Sequence, residues 1–190
     1  MKSIEQNDEG FTGLEAAIVL IAFVVVAAVF SYVVLGAGFF TTQKAQETVH
    51  TGVSQATSAV ELSGPVMVKG GAGDSVANIT FYLQLGAGGA PVDVTKIGYT
   101  VSTPKKVATV AGNDAAVNTF WLKTISSGNL LEAREMVLID INTSAIAFDS
   151  NAMTLNDKMT VEVKPPIGSS LPITRTIPAA LKDGSWYEVY

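Results

Sequence analysis

One uncharged run near the N-terminus constrains this chain more than any other feature. No charged side chain stands between Glu15 and Lys44, and residues 16–40 form an apolar stretch of 25 residues. A helix needs roughly 20 residues to cross the ~30 Å hydrocarbon layer of a membrane. Because a helix that is apolar on every side cannot face water, we expect lipid or other copies of the chain to cover it.

The position of this run leaves three interpretations: a cleaved secretory signal, a permanent membrane anchor or a packing helix in a filament. A secretory signal is disfavoured, because its apolar region is usually about 7–15 residues long and follows basic residues. Here the run is longer, and Lys2 is the only base before it. A peptidase that cuts after Gly10 would instead remove a polar leader, residues 1–10, and keep the apolar helix. The plain alternative is that residues 1–10 are a disordered tail.

The charge and cysteine counts exclude several classes of protein. The chain has 17 acids and 12 bases, and loss of the leader would leave a net charge of −3. It is therefore too acidic to attract nucleic acid. Without cysteine it has neither a disulfide framework nor a thiolate zinc site. Charged residues are only 15% of the chain, which indicates that much of the surface is buried in an assembly.

Thr12-Gly13-Leu14-Glu15 has the spacing of a helix capping box, in which Thr12 and Glu15 would satisfy backbone N–H groups. The alternative for Glu15 is an ion pair, since an acid at the edge of an apolar helix is costly to bury alone. Its partner would be the ammonium group of Phe11 if cleavage makes that residue the new N-terminus.

The helix is predicted to continue to about Ser58. Small apolar residues recur at steps of three or four through this second half: Ala45, Val49, Val53, Ala56 and Val60. Gly36 and Gly38 interrupt the apolar part. Glycine costs about 1 kcal/mol in a helix in water, but in apolar surroundings it lets backbones approach closely. We therefore expect a kink or a locally loosened turn at this point.

These residues carry a resemblance to a known family. A short polar leader ending in Gly10, then Phe11, Gly13, Glu15 and an unbroken apolar helix, resembles the class III signal of type IV pilin-like proteins. The run GLEAAIVLIAFVVVAAVFSYVVLGAGFFTTQKAQETV resembles more narrowly the N-terminus of archaellins, the archaeal flagellins. The resemblance implies cleavage after Gly10 by a prepilin-peptidase-like enzyme, a membrane-held pool of subunits and a filament with the helices at its core. This sequence departs from the family pattern in one respect: Asp8 and Glu9 stand where such leaders usually carry basic residues.

From Glu61 onward the sequence changes to the alternating pattern of β-strands, bounded by Gly-, Asn- and Pro-containing turns. This pattern predicts an α+β chain: a leader (1–10), a long hydrophobic α-helix (11–60) and an antiparallel β-domain (61–190). The spacing of the strands fits a sandwich or a barrel, and we favour an Ig-like β-sandwich, which the resemblance also implies. A single helical turn is expected at residues 130–134. Strands are predicted at residues 66–68, 76–85, 92–101, 106–111, 117–123, 135–141, 159–164, 173–177 and 186–190.

The residues that could carry chemistry are few, and we predict no enzyme, cofactor or metal. His50 is the only histidine and lies on the polar side of the helix, so no catalytic triad can be built on it. Asp140, Asp149 and Asp157 could meet on loops and hold calcium, but scattered surface acids are the favoured interpretation. The sequons at Asn78 and Asn142 are candidate N-glycosylation sites. Near the C-terminus, Trp186, Tyr187 and Tyr190 are predicted to form core or subunit contacts.

Three functions follow. The first, favoured by the resemblance, is the structural subunit of an extracellular motility filament, the archaellum. Such a subunit would form a homo-oligomer, alone or together with sister archaellins, after storage in the membrane. The second is an adhesive pilus subunit with the same helix. The third is a membrane-anchored binding domain, disfavoured because residues 54–64 lack the composition of a flexible tether.

Overall fold

The computed structural model describes residues 5–125, 128–148 and 152–190, with only the backbone described at residues 5–12 and 57. The chain divides into two compact units, Met1–His50 and Thr51–Tyr190. The first contains most of the single α-helix, and the second contains the β-strands and the end of the helix.

The helix, α1, spans Glu5–Thr57, 53 residues. At 1.5 Å per residue this is about 80 Å of helix. Because α1 already begins at Glu5, Thr12 lies inside the helix and does not cap it. The expectation of a capping box at Thr12 is therefore wrong for the uncleaved chain, in which good helix formers such as Glu5 and Gln6 extend the helix backwards. The helical backbone also runs unbroken through Gly36 and Gly38.

Twelve strands follow in the described residues, all paired antiparallel. They are β1 (Val60–Leu62), β2 (Val66–Gly70), β3 (Val76–Leu85), β4 (Val92–Asp93), β5 (Gly98–Ser102), β6 (Val107–Ala111), β7 (Val117–Lys123), β8 (Leu130–Leu131), β9 (Met136–Asn142), β10 (Lys158–Lys164), β11 (Leu171–Thr176) and β12 (Trp186–Val189).

The strands form two main sheets. Sheet A has the order β12-β2-β3-β9-β7, with β1 also paired to β3, and sheet B has the order β11-β10-β5-β6. A small third sheet joins β4 to β8. The inward residues of the two main sheets belong to one hydrophobic core, and Phe81 of β3 meets Tyr99 of β5 edge to face at 6.0 Å. The predicted α+β class, with a long apolar helix and an antiparallel sandwich, is confirmed.

The predicted strand over residues 92–101 is wrong in its centre. A 3₁₀ helix, Val94–Lys96, separates β4 from β5. Asp93 caps this helix, because its Oδ1 accepts hydrogen bonds from the backbone N–H of Thr95 at 3.1 Å and from the Thr95 hydroxyl at 2.6 Å. An Asp that bonds its own backbone two residues on favours a turn over a strand.

The predicted helical turn at residues 130–134 is also wrong. Leu130 and Leu131 form β8, and Arg134 has a φ of 73°, which is the left-handed region and incompatible with a right-handed helical turn. At the other end of the helix, Val60 belongs to β1 and pairs with Leu85, so it does not continue the apolar stripe of α1.

Candidate assembly surface

The apolar surface of α1 is uncovered in the single chain. From residue 13 to residue 56 no residue is buried, and the large apolar side chains from Leu14 to Phe40 are 52–81% exposed. The helix is long and apolar enough to cross a membrane. Fully burying one large apolar side chain is worth roughly 1.5–3 kcal/mol. Covering the whole run would therefore contribute tens of kcal/mol, more than the total stability of a typical domain, about 5–15 kcal/mol.

The helix glycines have no packing role within the chain. A Cβ atom added at Gly13, Gly36 or Gly38 would meet nothing within 4 Å. Glycine in a helix nevertheless costs about 1 kcal/mol relative to alanine. No contact within the described residues offsets this cost, so a role of Gly36 and Gly38 in close packing of helices stays a prediction.

The hydroxyl groups at the end of the apolar run are satisfied by the helix itself. Thr41 donates to the carbonyl of Ala37 at 2.8 Å, and Thr42 donates to the carbonyl of Gly38 at 2.9 Å. Because both hydroxyls have partners on their own helix, neither is left unpaired when this part of the helix enters an apolar environment. The sequence analysis did not predict these bonds.

Charged groups on α1 begin only outside the apolar run. Glu15 and His50 are exposed, and Lys44 forms an exposed ion pair with Glu47 at 2.6 Å, worth about 0.3–0.5 kcal/mol. The helical backbone continues through Gly10 and Phe11. Cleavage at that bond, and pairing of Glu15 with a new Phe11 ammonium group, stay predictions.

The two sequon asparagines lie opposite each other on neighbouring strands, Asn78 on β3 and Asn142 on β9. Asn78 donates from Nδ2 to both carboxylate oxygens of Asp140, at 2.9 and 3.1 Å. Asn142 instead accepts at Oδ1 from the backbone N–H groups of Ser144 and Ala145. The nitrogen that a glycan would modify is thus hydrogen-bonded in Asn78, whereas in Asn142 the oxygen carries the described bonds.

The three aspartates considered for calcium do not form a site in the described residues. Asp140 accepts from Asn78. Asp157 accepts from Lys105 at 2.8 Å and from Thr154 at 2.8 Å. The hydrogen bond from Lys105 is the largest cause that lowers the pKa of Asp157 below its usual range. Asp149 lies outside the described residues.

The aromatic residues near the C-terminus have different environments. Tyr187 packs against the core, and its hydroxyl accepts a hydrogen bond from the backbone of Lys182 at 2.9 Å. Trp186 is 45% exposed and Tyr190 is 83% exposed. Of the predicted roles, core contact therefore fits Tyr187, and the other two side chains remain available for contacts between subunits.

Sequence reasoning missed Glu135, which is buried at 1% exposure. Its carboxylate accepts from the backbone N–H of Ile125 at 2.6 Å and from that of Glu132 at 2.9 Å, so it holds the connection between β7 and β9 in place. The only sequence signal is an acid directly before an alternating strand, and this signal is too common to identify a buried clamp.

Comparison with known proteins agrees with these features. The model of the archaeal-type flagellin family matches residues 10–175. Probable flagellin 1 of Archaeoglobus fulgidus is 47% identical over 93% of each chain. The solved archaeal flagellum of Methanospirillum hungatei strain JF1 has a TM-score of 0.71 at 36% identity, covering 93% of this chain and 98% of that chain.

A second solved structure, crystalline archaeal flagellin FlaB1 of Methanocaldococcus jannaschii, shares the fold at 14% identity and a TM-score of 0.59, over 70% of this chain and 96% of that chain. The family match covers most of the chain, including the apolar helix and ten whole strands. The chain therefore belongs to the archaeal-type flagellins.

Proposed function

We propose that this chain is the structural subunit of an archaeal motility filament, polymerising through α1. The observation that carries the proposal is that every residue of the apolar run is exposed, in a chain whose relatives are flagellins. Surrounding copies of α1 would cover this surface in the filament, and lipid would cover it in a membrane-held precursor. Both environments are apolar, so transfer between them does not expose the helix to water.

Deletion of the gene tests the motility role against the adhesive alternative. We expect loss of swimming and of the surface filament, with both restored by the intact gene. Unchanged swimming combined with loss of attachment to surfaces would favour the adhesive pilus. Because the filament is predicted to lie outside the cell, it should be recovered by shearing, and mass spectrometry of the sheared material would show whether sister archaellins assemble with this chain.

Maturation is proposed to cut the bond between Gly10 and Phe11, by a prepilin-peptidase-like enzyme of the membrane. Gly10→Val should leave an unprocessed precursor in the membrane fraction, because a branched side chain replaces the residue that enters the cleavage site. Asn7→Val is the matched control, since it makes a similar change in the leader away from the bond. N-terminal sequencing of filaments that start at Phe11 supports the proposal, and normal filaments from Gly10→Val contradict it.

If the outer domain is already folded when the glycan is attached, glycosylation should favour Asn142 over Asn78. The amide nitrogen of Asn78 is engaged by Asp140, and Thr80 of its sequon is buried at 6% exposure. Ser144 of the other sequon is exposed. Mass spectrometry of sheared filaments from the wild type, Asn78→Gln and Asn142→Gln measures both sites. Higher occupancy at Asn78 would contradict this order.

A further inference from the structure

The two flanks of the sandwich differ in how they present their open strand edges. On one side, β6 and β7 are the end strands of sheets B and A and are joined by residues 112–116, so both edges lie on this flank. On the other side, β11 and β12 are the end strands, and the backbone N–H of Thr176 donates to the carbonyl of Tyr190 at 3.0 Å. We call these the β6/β7 flank and the β11/β12 flank.

The β11/β12 flank carries the residues that soluble proteins place on open edges. Pro172 lies in β11 and lacks a backbone donor, while Arg175 and Glu188 place charges on β11 and β12. Proline and charged side chains prevent another strand from pairing with an edge. Pairing of a strand from a second chain with this flank is therefore disfavoured.

The β6/β7 flank has no such protection over most of its length. Asp114, in the turn between the strands, is the only charged residue from Val107 to Leu122, and this stretch contains no proline. Val107 is 62% exposed, Phe120 57% and Leu122 54%. An uncharged edge of β-branched and aromatic residues is a site for chain association, and natural monomers rarely leave one open.

The turn between β6 and β7 is firmly held. Gly112 donates to the carbonyl of Ile97 at 2.7 Å, and a Cβ atom there would approach the carbonyl oxygen of Val94 to 2.3 Å. Asp114 closes the turn by accepting at Oδ1 from the backbone of Ala116 at 2.9 Å. Because the edges are fixed in advance, docking on them costs little ordering entropy.

We infer that the β6/β7 flank is a contact between outer domains, occupied in the filament by a second copy of this chain. The inference rests on the proposed function, since polymerisation through α1 brings many copies of residues 51–190 to high local concentration. A helical polymer grows through heterologous contacts. The second copy therefore presents a surface other than its own β6/β7 flank.

The absence of native cysteine allows each flank to be measured with a single introduced thiol. Val107→Cys and Thr119→Cys report on the β6/β7 flank, and Thr176→Cys, exposed on β11, is the matched control. Filaments sheared from cells are treated with a maleimide reagent before and after dissociation into subunits by detergent. We expect labelling in the intact filament to be slower by about tenfold or more at the first two positions, since a covered thiol is inaccessible to reagent, and unchanged at Thr176→Cys.

The possible outcomes distinguish a second copy of the chain from a glycan on the β6/β7 flank, and they test this inference separately from the proposed filament function. Equal labelling of Thr119→Cys in intact and dissociated filaments overturns the inference while leaving the filament function standing, because the filaments are seen in the same preparation. Protection that disappears when Asn78→Gln and Asn142→Gln are added would show a glycan on this flank instead of a second copy. Absence of any filament from the wild-type gene would contradict the proposed function itself.

Discussion

At the scale of single residues, the hydroxyl of Tyr99 is the most informative polar group in the core. Tyr99 is fully buried, and its hydroxyl has no hydrogen-bond partner in the described part of the chain. Burial raises the pKa of this phenol far above its ordinary value. An unpaired buried hydroxyl costs about 1–3 kcal/mol, so its removal should not harm the fold.

Tyr99→Phe should therefore be as stable as the wild type or more stable near neutral pH. The stability advantage of Tyr99→Phe over the wild type should increase at alkaline pH. Because the folded pKa lies above the unfolded value of about 10, the unfolded chain loses its proton first, and wild-type stability falls as the pH rises beyond that value. Urea unfolding midpoints at about pH 8 and about pH 11 measure this.

Tyr82→Phe is the control for general alkaline effects, because Tyr82 is only half-buried whereas Tyr99 is fully buried. An identical alkaline loss in the wild type and in Tyr99→Phe would contradict the assignment of this loss to Tyr99.

Gly168 shows how one glycine can be required by both backbone angle and space. Its φ is 106°, and an added Cβ atom would lie 1.7 Å from the carbonyl oxygen of Ser58. Gly184 also has a positive φ, 76°, but a Cβ atom there would meet nothing within 4 Å.

Gly168→Ala should lower the free energy of unfolding by more than about 2 kcal/mol, since it adds a clash to the conformational strain. Gly184→Ala should cost only about 1–2 kcal/mol. Thermal unfolding of the two variants compares them directly. Equal losses would mean that the chain near Ser58 moves freely to accept the new methyl group.

At the scale of elements, α1 could be predicted from local sequence more completely than the strands. The uncharged run predicts the helix directly, because a helix needs no partner elsewhere in the chain to form. Strands such as β3 and β9 were readable because one face is buried and residues alternate. The 3₁₀ helix after Asp93 was not predicted, because the residues alternate as in a strand while the Asp93 side chain caps a helical turn. β1 was missed because only three residues pair with β3. Strand order, and with it the two flanks, depends on pairing between distant segments and has no local signal.

The helix glycines give a prediction at this scale. Gly36→Leu and Gly38→Leu should abolish filaments or lower their yield several-fold, because the larger side chains keep neighbouring helices apart. The outer domain should remain folded, since a Cβ atom added at either position meets nothing within 4 Å and residues 51–190 form their own compact unit. Val34→Leu is the control, as it changes a large apolar residue to another. Electron microscopy of sheared filaments counts the product, and normal filaments from Gly36→Leu would show that no helix approaches there.

At the scale of the whole molecule, the apolar surface that we propose drives polymerisation and the hydrophobic core lie in different parts of the chain. Residues 51–190 form their own compact unit with a continuous core, whereas the apolar run lies before them. A fragment of residues 51–190 should be soluble and should not form filaments. The fragment must retain β1, which pairs with β3, so a start near Ser63 would remove a strand of sheet A.

Analytical ultracentrifugation of this fragment measures its mass, and circular dichroism its β-structure. Filaments formed by the fragment alone would contradict the assignment of polymerisation to α1. Weak self-association that Thr119→Lys removes and Thr176→Lys leaves unchanged would agree with the contact on the β6/β7 flank, because a lysine discourages docking on an open edge.

The unequal flanks also bear on the order in which contacts between subunits form. A contact through the β6/β7 flank alone is expected to be weak, because isolated residues 51–190 lack the high local concentration that polymerisation through α1 provides. The flank is therefore expected to reinforce a polymer that α1 has already begun, and not to start one.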